Sequence, residues 1–109
     1  MYVIVWEFVT EPRHQREFER AYGPAGVWVQ LFRRADGYVD TELLRDEENP
    51  GRYLTIDRWE SRTAFEAFKQ QFVAEYEATD REGTALTVRE TLLGRFQVAS
   101  GAPPGRPSS

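Results

Sequence analysis

The sequence predicts an α+β fold: a four-stranded antiparallel sheet in the order β-α-β-β-α-β, with both helices on one face. Three observations carry this ferredoxin-like reading. Period-two runs and helical runs alternate as strand, broken helix, strand, strand, helix, strand. The later helical run carries Phe65, Phe68, Phe72 and Tyr76 at steps of three, four and four, an aromatic stripe that needs a sheet to cover it. The first strand is apolar on both faces, so both faces of the sheet require a cover.

Tyr2 to Val9 is the first strand, with Tyr2, Ile4, Trp6 and Phe8 on one face and Val3, Val5, Glu7 and Val9 on the other. A carboxylate in a covered strand is costly without a partner, so Glu7 is expected to meet an Arg. Thr10-Glu11-Pro12 starts a helix, capped by Thr10 or Glu11. Phe18 and Tyr22 form its apolar stripe. Gly23-Pro24 interrupts it. Helix resumes near Ala25 with Trp28, Leu31 and Phe32 on one side, and Asp36-Gly37 ends it. Tyr22 and Trp28 at this bend fit either the core or one end of a pocket.

Tyr38 to Arg45 is the second strand, with the polar middle that suits an edge. A polar turn, Asp46 to Gly51, joins it to the third strand as an antiparallel hairpin. On that strand Tyr53, Thr55, Asp57 and Trp59 share one face, and Leu54, Ile56 and Arg58 the other. The first face combines two large rings, a hydroxyl and a carboxylate, the makings of a ligand wall. Alternation alone does not fix which face meets the helices. Ser61 is placed as the N-cap of the next helix. Asp80 to Val88 reads as a loop or a short irregular helix. Leu92 to Val98 is the last strand, with Leu92, Phe96 and Val98 on one face, Leu93, Arg95 and Gln97 on the other, and a bulge or close approach at Gly94.

The chain has 109 residues, which suits one domain over residues 1–98 followed by a disordered Pro/Gly/Ser tail at 99–109. Fourteen Lys and Arg against 18 Asp and Glu give a net charge of -4, which argues against a nucleic-acid partner. No cysteine is present, so disulfides and thiolate chemistry are excluded. No signal peptide is expected, and no apolar run approaches the roughly 20 residues of a membrane span; a cytoplasmic location is expected. Ser61 has no histidine partner for a triad, no His, Asp and Glu have metal-ligand spacing, and no phosphate loop is present. With helices on only one face, the second cover for the sheet is predicted to be another copy of the chain, in a homodimer burying at least roughly 1,600 Å².

Three stretches carry a family resemblance: Val3-Ile4-Val5-Trp6-Glu7-Phe8; Ala21-Tyr22-Gly23-Pro24 through Trp28–Arg34 to Gly37-Tyr38; and Tyr53–Ser61 followed by Phe65 and Phe68. Together they resemble the antibiotic biosynthesis monooxygenase family of dimeric α+β barrels, over almost all of the first 98 residues. The resemblance implies a cofactor-independent oxygenase acting on a small electron-rich aromatic such as an anthrone, quinol or polyketide-like ring. Such chemistry needs aromatic walls, a base and an anion partner. It makes Trp59, Asp57 and Tyr53 the candidate catalytic residues, and Trp6, Tyr22, Trp28, Phe65, Phe68 and Tyr76 the candidate substrate-binding walls. Glu7 is a second candidate base, and Arg58 or Arg95 a candidate anion partner. The family's haem-degrading branch uses a histidine from the second-helix region; the only histidine here is His14, so neither haem nor any other cofactor is expected. The only asparagine, Asn49, lies in the polar turn, unlike the pocket Asn of family oxygenases. The alternative reading is a non-catalytic small-ligand-binding or stress-response barrel.

Overall fold

The computed structural model describes residues 1–101; residues 102–109 of the expected tail lie outside them. β1 (Tyr2–Val9), β2 (Tyr38–Arg45), β3 (Arg52–Trp59) and β4 (Arg89–Gln97) form one antiparallel sheet in the order β2-β3-β1-β4. A 3-10 turn at Pro12–His14 leads into α1 (Gln15–Tyr22) and α2 (Val27–Phe32), while α3 (Arg62–Gln71) and α4 (Val73–Thr84) join β3 to β4. This is the α+β, ferredoxin-like arrangement, with the second helix divided in two.

The helices cover the face of β3 that carries Tyr53, Thr55, Asp57 and Trp59, all buried, together with Tyr2, Ile4 and Phe8 of β1. Burial of these rings is the main driving force for closing the layers, since each aromatic removes a large apolar area from water. Phe18 stacks on Tyr22 at 4.3 Å and meets Phe8 and Tyr53 at one end of the core. Phe65 and Phe68 close on Trp59 at the other, at 5.4 and 5.1 Å.

Among the described residues no helix covers the opposite face. Val3, Val5, Leu54 and Ile56 are only partly covered there, and Phe96 is 51% exposed. Arg58 bridges Asp40 and Glu42 on this face at 2.9 and 2.6 Å. Glu7 finds its expected arginine: Arg52 Nε donates to it at 2.6 Å.

Four local expectations are corrected. Glu11, the residue before the 3-10 turn, makes no side-chain cap; the Thr10 amide and hydroxyl both turn to the Gly51 carbonyl instead. The aromatic stripe does not run along one helix, because the backbone leaves helical geometry at Phe72 (φ -114°, ψ 34°). The break lets α4 swing onto α2, where Tyr76 meets Trp28 edge-on at 5.1 Å, and helix then continues to Thr84, into the stretch read as a loop or a short irregular helix. β4 starts at Arg89 rather than Leu92. Finally, the two faces read for β4 are corrected by the bulge expected beside Gly94: it leaves Leu93 unpaired, with Val5 facing Gly94 and Trp6 facing Leu92. The extra residue inverts the alternation beyond it. Leu92 therefore joins Arg95 and Gln97 on the helix side, and Phe96 moves to the open face. Its ring lies over Gly94, where an added Cβ would come within 2.6 Å of it.

Candidate functional site

A cavity of about 330 Å³ lies between the sheet and the helices. Its floor is Ile4, Trp6 and Phe8 of β1 with Thr55 and Asp57 of β3; Tyr22, Trp28, Phe32, Phe65 and Tyr76 form the walls and roof. The volume suits a ligand of two or three fused rings at the lower end of ordinary small-molecule sites.

The buried charge in this cavity is Asp57, 9% exposed. Thr41 on β2 stands opposite it in the hairpin register. The Thr41 hydroxyl donates to Asp57 Oδ1 at 2.7 Å, and its oxygen is 2.7 Å from the Tyr38 hydroxyl. Threonine has one hydroxyl proton, so with that proton given to Asp57 the Tyr38 hydroxyl must donate to Thr41. Loss of hydration on burial pushes the Asp57 carboxyl up to about 6; the Thr41 bond pulls the other way, and the charge of Asp40 adds to the rise. Asp57 is thus largely ionised at neutral pH yet weakly hydrated, as a base must be. The Tyr38–Thr41–Asp57 line connects it to the half-buried end of β2.

More polar groups enter from the other elements: Lys69 of α3, Asp80 of α4, and Glu90 and Arg95 of β4. Burial and the neighbouring Asp80 hold the Glu90 carboxyl above its usual range. Burial likewise raises the phenols of Tyr22 and Tyr76. The Tyr22 hydroxyl and Trp28 Nε1 are buried and, among the described residues, meet no hydrogen-bond partner in good geometry. Among the described residues, no group of three His, Cys, Asp or Glu side chains is arranged to hold a metal ion.

Of the residues singled out from sequence, the structure brings together Asp57, Trp6, Tyr22, Trp28, Phe65 and Tyr76 around the cavity. Trp59, Tyr53 and Phe68 do not line it. Trp59 is fully buried, boxed by Phe32, Tyr38, Phe65 and Phe68. The Tyr53 hydroxyl donates to Glu19, which Arg45 also holds. These two rings clamp the ends of β3 and so fix Thr55 and Asp57 between them. Glu7 and Arg58 point to the open face, away from the cavity, because the pleat sends them there. Thr41 and Lys69 were missed. Counting the hairpin register back from its turn pairs Thr41 with Asp57, and the only lysine stands four residues after Phe65 on the aromatic stripe.

The model of the family described as antibiotic biosynthesis monooxygenase matches residues 1–79. The chain belongs to the antibiotic biosynthesis monooxygenase family. A variant of SnoaB, a cofactor-independent oxygenase from Streptomyces nogalater, is similar in structure: TM-score 0.75 at 22% identity, over 94% of this chain and 96% of its own. A candidate antibiotic biosynthesis monooxygenase from Deinococcus radiodurans gives 0.74 at 13% identity, over 94% and 97%. Another candidate, from Bordetella bronchiseptica, gives 0.69 at 19% identity, over 91% and 97%. At these identities the likeness carries the fold. No curated protein sequence matches the chain. No helix among the described residues is long and apolar enough to cross a membrane.

Proposed function

We propose that this protein is a cofactor-independent monooxygenase acting on a small electron-rich aromatic of the anthrone, quinol or polyketide-like kind. One observation carries the reading: a single buried carboxylate, Asp57, set in the floor of an aromatic cavity and held at a pKa of about 6. Family membership supports the same class of reaction.

In an anthrone-like substrate, Asp57 takes a proton from the reacting CH2, leaving a ring-stabilised carbanion. That anion supplies the electrons that reduce dioxygen, and a C–O bond forms to give a peroxide. The peroxide takes up the proton; its O–O bond then breaks as the second C–H proton leaves. The products are a ketone and one water, so both oxygen atoms are accounted for and no outside reductant is consumed. The chain's part is to stack the ring, receive and return the proton, and exclude water from the anion.

Oxygen uptake with a panel of anthrones, hydroquinones and flavonols tests this. We expect one dioxygen consumed per substrate, and Asp57→Asn to lower kcat by about a hundredfold or more, the usual weight of a positioned base. No uptake above buffer, with ligand-induced quenching of tryptophan fluorescence retained, would replace the oxygenase reading with the ligand-binding one.

We further propose that the working form is a homodimer joined through the open sheet face. Its support is the helix-free stripe of Val3, Val5, Leu54, Ile56 and Phe96, which is costly to leave in water. Light scattering should give twice the chain mass, and Ile56→Asp should give the monomer. A monomer at micromolar concentration for the unaltered protein would refute this.

A further inference from the structure

The cavity sorts its charges by position. In the β1–β4 ladder Arg95 stands opposite Ile4 and Glu90 opposite Phe8. Those β1 residues are four apart, so the two charges leave β4 about 13 Å from each other at roughly 3.3 Å per residue. Lys69 belongs to the Arg95 end. It follows Phe65 by one helical turn, and Phe65 packs on Tyr2 at 6.1 Å. Its ammonium lies 4.7 Å from the centre of the Tyr76 ring and 6.0 Å from that of Phe65. Asp80 lies toward the Glu90 end: three residues on along the same helix Gly83 packs against the Tyr22 hydroxyl, and the Tyr22 ring meets Phe8 at 4.8 Å. On top of burial, its charge raises Glu90, Tyr22 and, one turn back, Tyr76, on which Arg95 has the smaller, opposite effect.

Among the described residues neither Lys69 nor Arg95 is ion-paired, whereas seven arginines elsewhere hold carboxylates. Two cations lining one end of a ring-lined cavity, without ion partners among the described residues, leave room for an anion from outside. The charge count sets its valence. Asp57 lies in the same row, opposite Ile4 from the β3 side. With Asp57 ionised, that end keeps a single net positive charge, which one monoanion neutralises. A dianionic phosphate would leave excess negative charge beside Asp57.

We propose that the substrate is an aromatic acid, with its rings between Trp6, Phe65 and Tyr76 and its carboxylate held by Lys69 and Arg95. This deepens the oxygenase reading and rests on it in taking this cavity as the substrate site. Anchored there, the ring presents its far edge across β1 to Asp57, and Lys69 and Arg95 select which ring position reaches the base.

Calorimetric titration with 6-hydroxy-2-naphthoic acid and with its methyl ester, at low salt and neutral pH, tests the proposal. The pair differs in charge and little in shape. The acid should bind at least about tenfold tighter, the weight of charge-assisted bonds to two cations. Lys69→Met with Arg95→Met should bring the two affinities together while leaving that of the ester unchanged. Arg16→Met with Arg81→Met removes the same charge from the outer surface and should keep the preference. Equal affinities in the unaltered protein, no binding of either compound, a preference that survives the cavity variant, or one lost equally in the surface variant would each overturn the proposal. Oxygen uptake is read separately. Tight binding of acids without uptake leaves this subsite standing and removes the oxygenase reading. Uptake with esters as fast as with acids does the reverse.

Discussion

Asp57→Asn should make the protein more stable at neutral pH while disabling it. In the unfolded chain the carboxyl titrates at its ordinary 3.8; folded, it is held at about 6. The folded state therefore binds the proton more tightly, and the sign follows from linkage. The contribution is fully present below about pH 4, where both states are protonated, and is lost as pH rises through about 6, where the folded state must bury a charge. At 1.36 kcal/mol per pKa unit the loss has a ceiling of about 3 kcal/mol. Asparagine keeps the shape, and its carbonyl oxygen still accepts from Thr41, but it carries no charge to desolvate. The variant should therefore match the original near pH 4 and exceed it by about 2–3 kcal/mol near pH 8, a gain bought with function. Urea unfolding followed by tryptophan fluorescence, at equal protein concentration across that range, measures the difference; groups common to both proteins cancel. A difference independent of pH, or a less stable variant at pH 8, would refute the account of Asp57 as a desolvated base.

Thr41→Val removes the bond that lowers the Asp57 pKa, so the acid limb of the pH–rate profile should move to higher pH, and an unmoved limb would detach Thr41 from the base. Gly83→Ala places a Cβ 2.1 Å from the Tyr22 hydroxyl. Overpacking of about 1–3 kcal/mol outweighs the roughly 1 kcal/mol by which alanine favours a helix, so urea midpoints should fall, and Tyr22→Phe should restore most of the loss in a double-mutant cycle. Ser61→Ala removes the side-chain oxygen that accepts from the Ala64 amide at 3.0 Å and should cost about 1 kcal/mol in the same assay.

Much of this molecule is written locally. The alternation in Tyr2–Val9 and Arg52–Trp59, the Gly23-Pro24 break and the Ser61 cap are short-range features, and they place the elements within a few residues. The same alternation puts Thr55 and Asp57 side by side with Tyr53 and Trp59. Their roles then part because of what lies above them. Rings from α2 and α3 close over Trp59, and Glu19 of α1 takes the Tyr53 hydroxyl. Only between those two clamps does a gap remain, and Asp57 faces it.

What the sequence by itself determined is the order of the elements, the partnering of Glu7 with an arginine, and the set of side chains that share a face of β3. What only the tertiary structure decided is which face the helices cover, how the break at Phe72 carries Tyr76 and Asp80 over the cavity, and how the bulge at Leu93 sends Arg95 inward and Phe96 outward. The physical reason is range. Periodicity and caps depend on neighbours three or four residues away, whereas a bulge is one extra residue whose effect appears only when a strand is paired. The base of the candidate site was therefore legible as a carboxylate on a strand, and its pKa, its relay and the cations across the cavity were not, because each arises from residues far apart in the chain.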